Sequence, residues 1–123
     1  MKIIKTKIFA KWADKNKVSE QALVIAANEI ALELYEANYG GGVLKKRVAN
    51  KGRGKSSSTR TIVAFKKGKN CFFIYGFEKN EKSNISSNEE KAFKIIAKSL
   101  LNYSDLELNQ LIKDGILLEI NNE

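Results

Sequence analysis

From Leu23 onward the apolar residues fall three and four apart: Leu23, Ala26, Ala27, Ile30 and Leu34 repeat at the helical period, and Glu29, Glu33 and Glu36 mark the wet face. Ser19 is a natural cap for this helix, with Val18 before it and Leu23 after it forming a hydrophobic staple. The run is expected to stop at Gly40, Gly41 and Gly42. Ahead of it, Lys2 to Lys7 reads apolar and basic in turn, as an edge strand whose lysines oppose edge-to-edge pairing. Thr6 then caps a short helix burying Phe9, Trp12 and Ala13.

The period changes in the middle of the chain. Val43 to Val48 reads as a strand, NKGRGKSSS as a basic loop rich in turn residues, and Thr59 to Lys66 as an alternating strand. In that strand Thr61, Val63 and Phe65 share one face, and Arg60, Ile62 and Ala64 the other. A hairpin turn around Gly68 leads to Cys71–Phe77, apolar on both faces and so a central strand. Helix returns with capping boxes at Ser86/Glu89 or Ser87/Glu90, and at Ser104/Glu107. Phe93, Ile96, Ala97 and Leu100 form the first apolar stripe, and Leu108, Leu111 and Ile112 the second, closed by Gly115. Ile116 to Ile120 is a short strand or an extended tail. The pattern predicts one α+β domain over 1–123: N-terminal helices on a small antiparallel sheet of three to four strands, then C-terminal helices.

Charge changes this picture, because it is unevenly placed. The chain carries +8 overall, yet Lys45 to Lys82 holds twelve Lys/Arg against only Glu78 and Glu81. A neutral scaffold therefore carries one basic block. The absence of histidine excludes Ser-His and Cys-His nucleophiles and His-pair metal centres. A lone cysteine, Cys71, excludes an internal disulfide and points to a reducing compartment. No cofactor or metal is expected, no apolar run is long enough to span a membrane, and the N-terminus lacks signal-peptide character. A cytoplasmic location is the expectation.

Clustered Lys/Arg gain affinity for polyanions by releasing counterions from phosphates. Five or six contacts predict a log–log salt slope of about −4 to −5. Arg60 is the most informative cation, since a strand gives its forked guanidinium a rigid base. A salt bridge competes with that role, but acids are scarce in this stretch. Tyr75 and Phe77 are either core or rings for base stacking. Lys79, Asn80, Lys82 and Asn84 emerge at a strand end, where sites are commonly assembled. Cys71 and Trp12 read as core, and Glu78 and Glu81 as solvated charge.

The stretch RVANKGRGKSSSTRTIVAFKKGKNCFFIYGFEKNEKSNIS resembles the core of RelE-type toxins of bacterial toxin–antitoxin modules. It is most similar to a subgroup reading GKSGG-aromatic-RT-apolar-AF-KKG, then FF-YGF-K-N and NI. Ser57 and Ser58 stand where that pattern has glycines, and Thr59 where it has an aromatic. The resemblance implies a ribosome-dependent mRNA endoribonuclease in which Lys/Arg stabilise attack of a ribose 2′-hydroxyl on phosphorus. It implies Arg60, Lys82, Lys79 and Lys55 as catalytic cations, and Lys45, Lys46, Arg47, Arg53, Asn80 and Asn84 as RNA contacts. The tyrosine some relatives carry near the C-terminus has no match, its place falling on Ser86, so the general base stays open. The implied partners are the ribosome, mRNA and an antitoxin with an acidic segment and a DNA-binding part. Two other readings of the same residues are a gyrase-inhibiting toxin of the ParE type and an RNA-binding module without cleavage.

Overall fold

The structure is a computed structural model and describes residues 1–49 and 59–121. In chain order it runs β1 (Ile3–Thr6), α1 (Lys7–Lys15), α2 (Glu20–Ala31), β2 (Ala37–Gly40), β3 (Val43–Arg47), β4 (Thr59–Phe65), β5 (Cys71–Glu78), α3 (Ser87–Asn102), α4 (Asp105–Lys113) and β6 (Leu117–Ile120). The α+β class holds, but the sheet is larger than the pattern suggests. It has six strands in the order β2-β3-β4-β5-β1-β6. The meander β3-β4-β5 is antiparallel, as expected. β1 joins it in parallel beside β5, and β6 pairs antiparallel with β1. β1 is thus an interior strand rather than an edge. Four residues are too few to reveal that both sides of β1 are paired.

Helix starts follow their caps. Thr6 Oγ1 accepts from Phe9 N, Ser19 Oγ from Ala22 N, and full capping boxes close around Ser86/Glu89 and Ser104/Glu107. The end of α2 departs from the apolar period. The helix stops at Ala31, Glu33 adopts a left-handed φ of 65°, and Leu34 is exposed. The chain then turns into β2, an edge strand that helical periodicity had masked. Gly42 makes the return into β3: its φ is 83°, and a Cβ there would lie 2.5 Å from Leu101 Cδ1.

The sheet separates two cores. One packs Ile3, Phe9, Leu23, Ala27, Ile30, Val63 and Phe73 beneath α1 and α2. The other packs Ile4, Ile62, Phe72, Ile74, Phe77, Phe93 and Leu100 beneath α3 and α4. Cys71 is fully buried, which pushes its thiol up to about 12. Trp12 packs on the α1/α2 side and covers Gly76. β4 keeps strict alternation, while β5 contains a bulge: Ile62 pairs with Tyr75 but Val63 with Phe73, leaving Ile74 as the extra residue. The bulge moves Tyr75 and Phe77 onto the α3/α4 side, away from Phe73.

Candidate RNA-binding and active site

The start of β4, the end of β5 and the N-terminus of α3 meet at one end of the sheet. Register places Arg60 opposite both Phe77 on β5 and Arg47 on β3, so these three share a face. Arg60 is only 7% exposed. Its Nε donates to Glu36 Oε1 at 2.8 Å, and one terminal nitrogen donates to the Thr59 carbonyl at 3.3 Å. A buried guanidinium without such partners would be very costly, so Glu36 accounts for how an arginine is tolerated there. The acid comes from the segment before β2, outside the basic stretch in which acids are scarce.

Lys82 follows the turn after β5, where the Glu78 carbonyl accepts from both the Glu81 and Lys82 amides. Its ammonium pairs with Glu89 of α3, lies 3.4 Å from Tyr75 Oη and sits 5.3 Å over the Tyr75 ring. The hydrogen bond to Glu89 is the main cause that raises the Lys82 pKa, and the same bond lowers that of Glu89. Lys82 therefore stays cationic well past neutrality. Tyr75 is half-buried against Phe93, their centroids 5.2 Å apart, and Phe77 is core at 4% exposure. The half-buried Tyr75 is thus the more accessible of these two rings.

The remaining expected residues divide. Arg47 is exposed and Lys45 half-buried on the same side of β3, whereas Lys46 alternates to the other side and binds Glu29 of α2 at 2.9 Å. Lys46 therefore stands apart from the set. Asn84 Oδ1 accepts from Tyr39 Oη at 2.9 Å, tying the edge strand β2 to the loop before α3. Burial, then Glu90 and Glu36, raise the Tyr39 pKa and keep that phenol a donor. Lys79 and Asn80 are exposed on the turn. Lys55 and Arg53 lie outside the described residues. Glu78 corrects an expectation: it is 4% exposed rather than solvated, and its Oε2 accepts from Thr59 Oγ1 at 3.1 Å. Ser86, the position of the absent tyrosine, is spent on capping α3.

Sequence reasoning missed Glu36 and Tyr39, and read Glu89 only as a cap. Glu36 and Tyr39 lie inside a stretch read as helix tail and glycine stop, so neither carried a signal. Chemically, the described residues offer fixed cations here, with the Tyr75 ring beside Lys82 and with Glu36 and Glu89 as carboxylate partners of Arg60 and Lys82. Among the described residues, no group of three or more His/Cys/Asp/Glu is placed to hold a metal ion, and no helix is long and apolar enough to cross a membrane.

The family model for the RelE toxin of the RelE/RelB toxin–antitoxin system matches residues 1–120. That span takes in every element from β1 to β6. The cationic face sits within it, and the α+β architecture agrees with the fold that the motif resemblance implied. The chain belongs to the RelE toxin family of RelE/RelB toxin–antitoxin systems.

Proposed function

We propose that this toxin inhibits translation as a ribosome-dependent mRNA endoribonuclease whose catalytic power comes from fixed positive charge. The observation that carries the reading is Arg60. It is held on a central strand, faces Arg47, and shares its face with Tyr75, over which Lys82 is positioned. In the reaction the ribose 2′ oxygen attacks the adjacent phosphorus, the new P–O2′ bond forms, and the P–O5′ bond breaks. A proton leaves the 2′ oxygen and one is added to the 5′ oxygen, giving a cyclic phosphate and a 5′-hydroxyl end. The crowded phosphorane gathers negative charge on its non-bridging oxygens, where Arg60 and Lys82 stabilise it.

A raised Lys82 pKa fits a cation and a donor to the 5′ oxygen, and does not fit a base. Tyr75 offers its ring to a neighbouring base. Arg47, Lys45, Asn80 and Asn84 hold the RNA backbone, and Lys79, Lys55 and Arg53 add positive charge. An incoming phosphate must displace or share Glu36 and Glu89, so the free protein keeps its cations paired until RNA enters.

The test is primer extension on a defined mRNA with purified protein, with and without translating ribosomes, beside Arg60→Ala. New 5′ ends that require ribosomes and Arg60 support the reading; loss of a transition-state cation lowers the rate by about a hundredfold or more. Full growth arrest by folded Arg60→Ala protein refutes the assignment. Growth arrest with no RNA cleavage and a DNA-damage response favours a gyrase inhibitor instead.

A further inference from the structure

A second feature lies at the opposite end of the sheet. Arg60 and Phe65 are five residues apart on β4, about 17 Å along an extended strand. Beyond Phe65, a groove of about 640 Å³ opens between the β2–β3 turn and the C-terminal half of α3. Its floor is Gly41, Gly42, Phe65 and Leu101, and its rim is Lys66, Lys94 and Lys98. The glycines keep it open, because a Cβ at Gly41 would meet the Lys94 stem at 3.4 Å and one at Gly42 would strike Leu101. On the adjoining ridge of α3, Ile95 is 71% exposed between Lys91, Lys94 and Lys98. Lys94 makes a partly exposed ion pair with Glu90 at 3.0 Å, and among the described residues it is the one of these three helix lysines that is so paired.

We infer that this groove and the Ile95 ridge bind an acidic segment with apolar anchors, carried by the antitoxin that neutralises this toxin. Both halves of that description come from the surface. Lysines at the rim call for carboxylates, which steer association and fix register. The apolar floor and the exposed isoleucine gain only from a partner that brings apolar side chains to cover them. An RNA backbone would use the lysines and leave Leu101, Phe65 and Ile95 wet. A segment seated here anchors the partner at a distance from Arg60 and leaves the rest of that protein to reach the cationic face. The inference rests on the toxin reading of the chain, since it assigns the place at which the antitoxin docks.

The test measures binding of the purified antitoxin encoded with this toxin to wild-type protein, to Lys94→Glu/Lys98→Glu and to Ile95→Ser. All three substituted positions are outside the proposed catalytic set, and circular dichroism checks their folding. The expected result is at least about tenfold weaker binding for the double variant at low salt, converging on wild type as salt rises. Ile95→Ser should weaken binding at every salt concentration, because an apolar contact is not screened. Ribosome-dependent mRNA cleavage should be unchanged, and the antitoxin should no longer relieve growth arrest. Wild-type antitoxin affinity in both variants overturns the inference. So does a double variant that keeps antitoxin affinity but loses ribosome binding, which would make the patch an RNA surface. If wild-type protein neither arrests growth nor binds the antitoxin, the underlying toxin reading fails as well.

Discussion

Gly76 is the position at which one added methyl should disturb the most structure. It lies on β5 between Tyr75 and Phe77, and the Trp12 ring from α1 rests against its bare Cα. A Cβ at this position would stand 2.3 Å from Trp12 Cε3 and Cζ3 and 2.6 Å from Cη2. Ordinary carbon contacts are about 3.5–4.0 Å, so the ring must retreat by more than about 1 Å or β5 must shift. Trp12 also packs on Phe9, with centroids 5.7 Å apart, and Phe9 stacks on Phe73, so the ring cannot move alone. Overpacking of this kind costs about 1–3 kcal/mol. For a chain of 123 residues the entropy of unfolding converts that to a Tm lower by roughly 4–12 °C. Trp12 is the only tryptophan, so its fluorescence in a urea titration reports both stability and the ring's environment. Gly76→Ala should lower the midpoint and alter native emission, and Trp12→Leu should recover part of the loss in the double variant, whose unfolding is followed by circular dichroism because it has no tryptophan. A Gly76→Ala protein with wild-type midpoint and emission would refute the packing described for this face.

Other outcomes follow from single contacts. Lys82 and Glu89 stabilise each other between the pKa values that each perturbs in the other. The lowered Glu89 value makes its contribution present above the ordinary carboxylate range and lost as pH falls through the folded pKa. The raised Lys82 value makes its contribution present below its ordinary value and lost as pH rises through the folded pKa. The stability gap between wild type and Lys82→Met, followed by denaturation across pH, should therefore be flat near neutrality and shrink at both extremes; a gap unaffected by acid would contradict the pairing. Ser104→Ala removes the cap of α4 and should cost about 1 kcal/mol by urea denaturation, whereas Ser87→Ala, one residue inside the α3 cap, should cost less. Cys71, buried with its thiol pushed up to about 12, should resist alkylation in the native protein and react fully once unfolded; fast native labelling would show that β5 opens.

Much of the architecture was legible because it depends on local chemistry. A hydroxyl followed three residues later by a glutamate is a local capping-box pattern, so Ser104 marked its helix, and of the two alternatives offered before α3 the cap is Ser86 with Glu89 rather than Ser87 with Glu90. Strict alternation in Thr59–Phe65 placed Ile62 and Ala64 in one core and Val63 in the other, because side chains on a regular strand have no alternative. The basic block and the absence of histidine likewise narrowed the chemistry before any fold was known. Pairing with distant residues was not legible. β1 owes its interior position to strands about 70 and 115 residues away, and no pattern within Ile3–Thr6 encodes them. The end of α2 was misread because Leu34 continues the helical period while Glu33 breaks it in backbone angle alone.

The site shows the same division. Arg60, Lys82 and Asn84 were visible as types of residue in a basic segment, but what holds them was not. Glu36, Glu89 and Tyr39 reach them from other elements, and an ion pair across strands leaves no mark in the local pattern. The bulge at Ile74 is the sharpest case. Without it, alternation would put Tyr75 and Phe77 with Phe73 beneath α1; with it, they turn toward α3 and share a face with Arg60. Sequence alone thus determined where helices begin, which strand faces are apolar and where positive charge collects, since each depends on neighbours along the chain. Only the tertiary structure decided which face the aromatic residues share with the arginine, because one extra residue against a partner strand reverses every side chain beyond it.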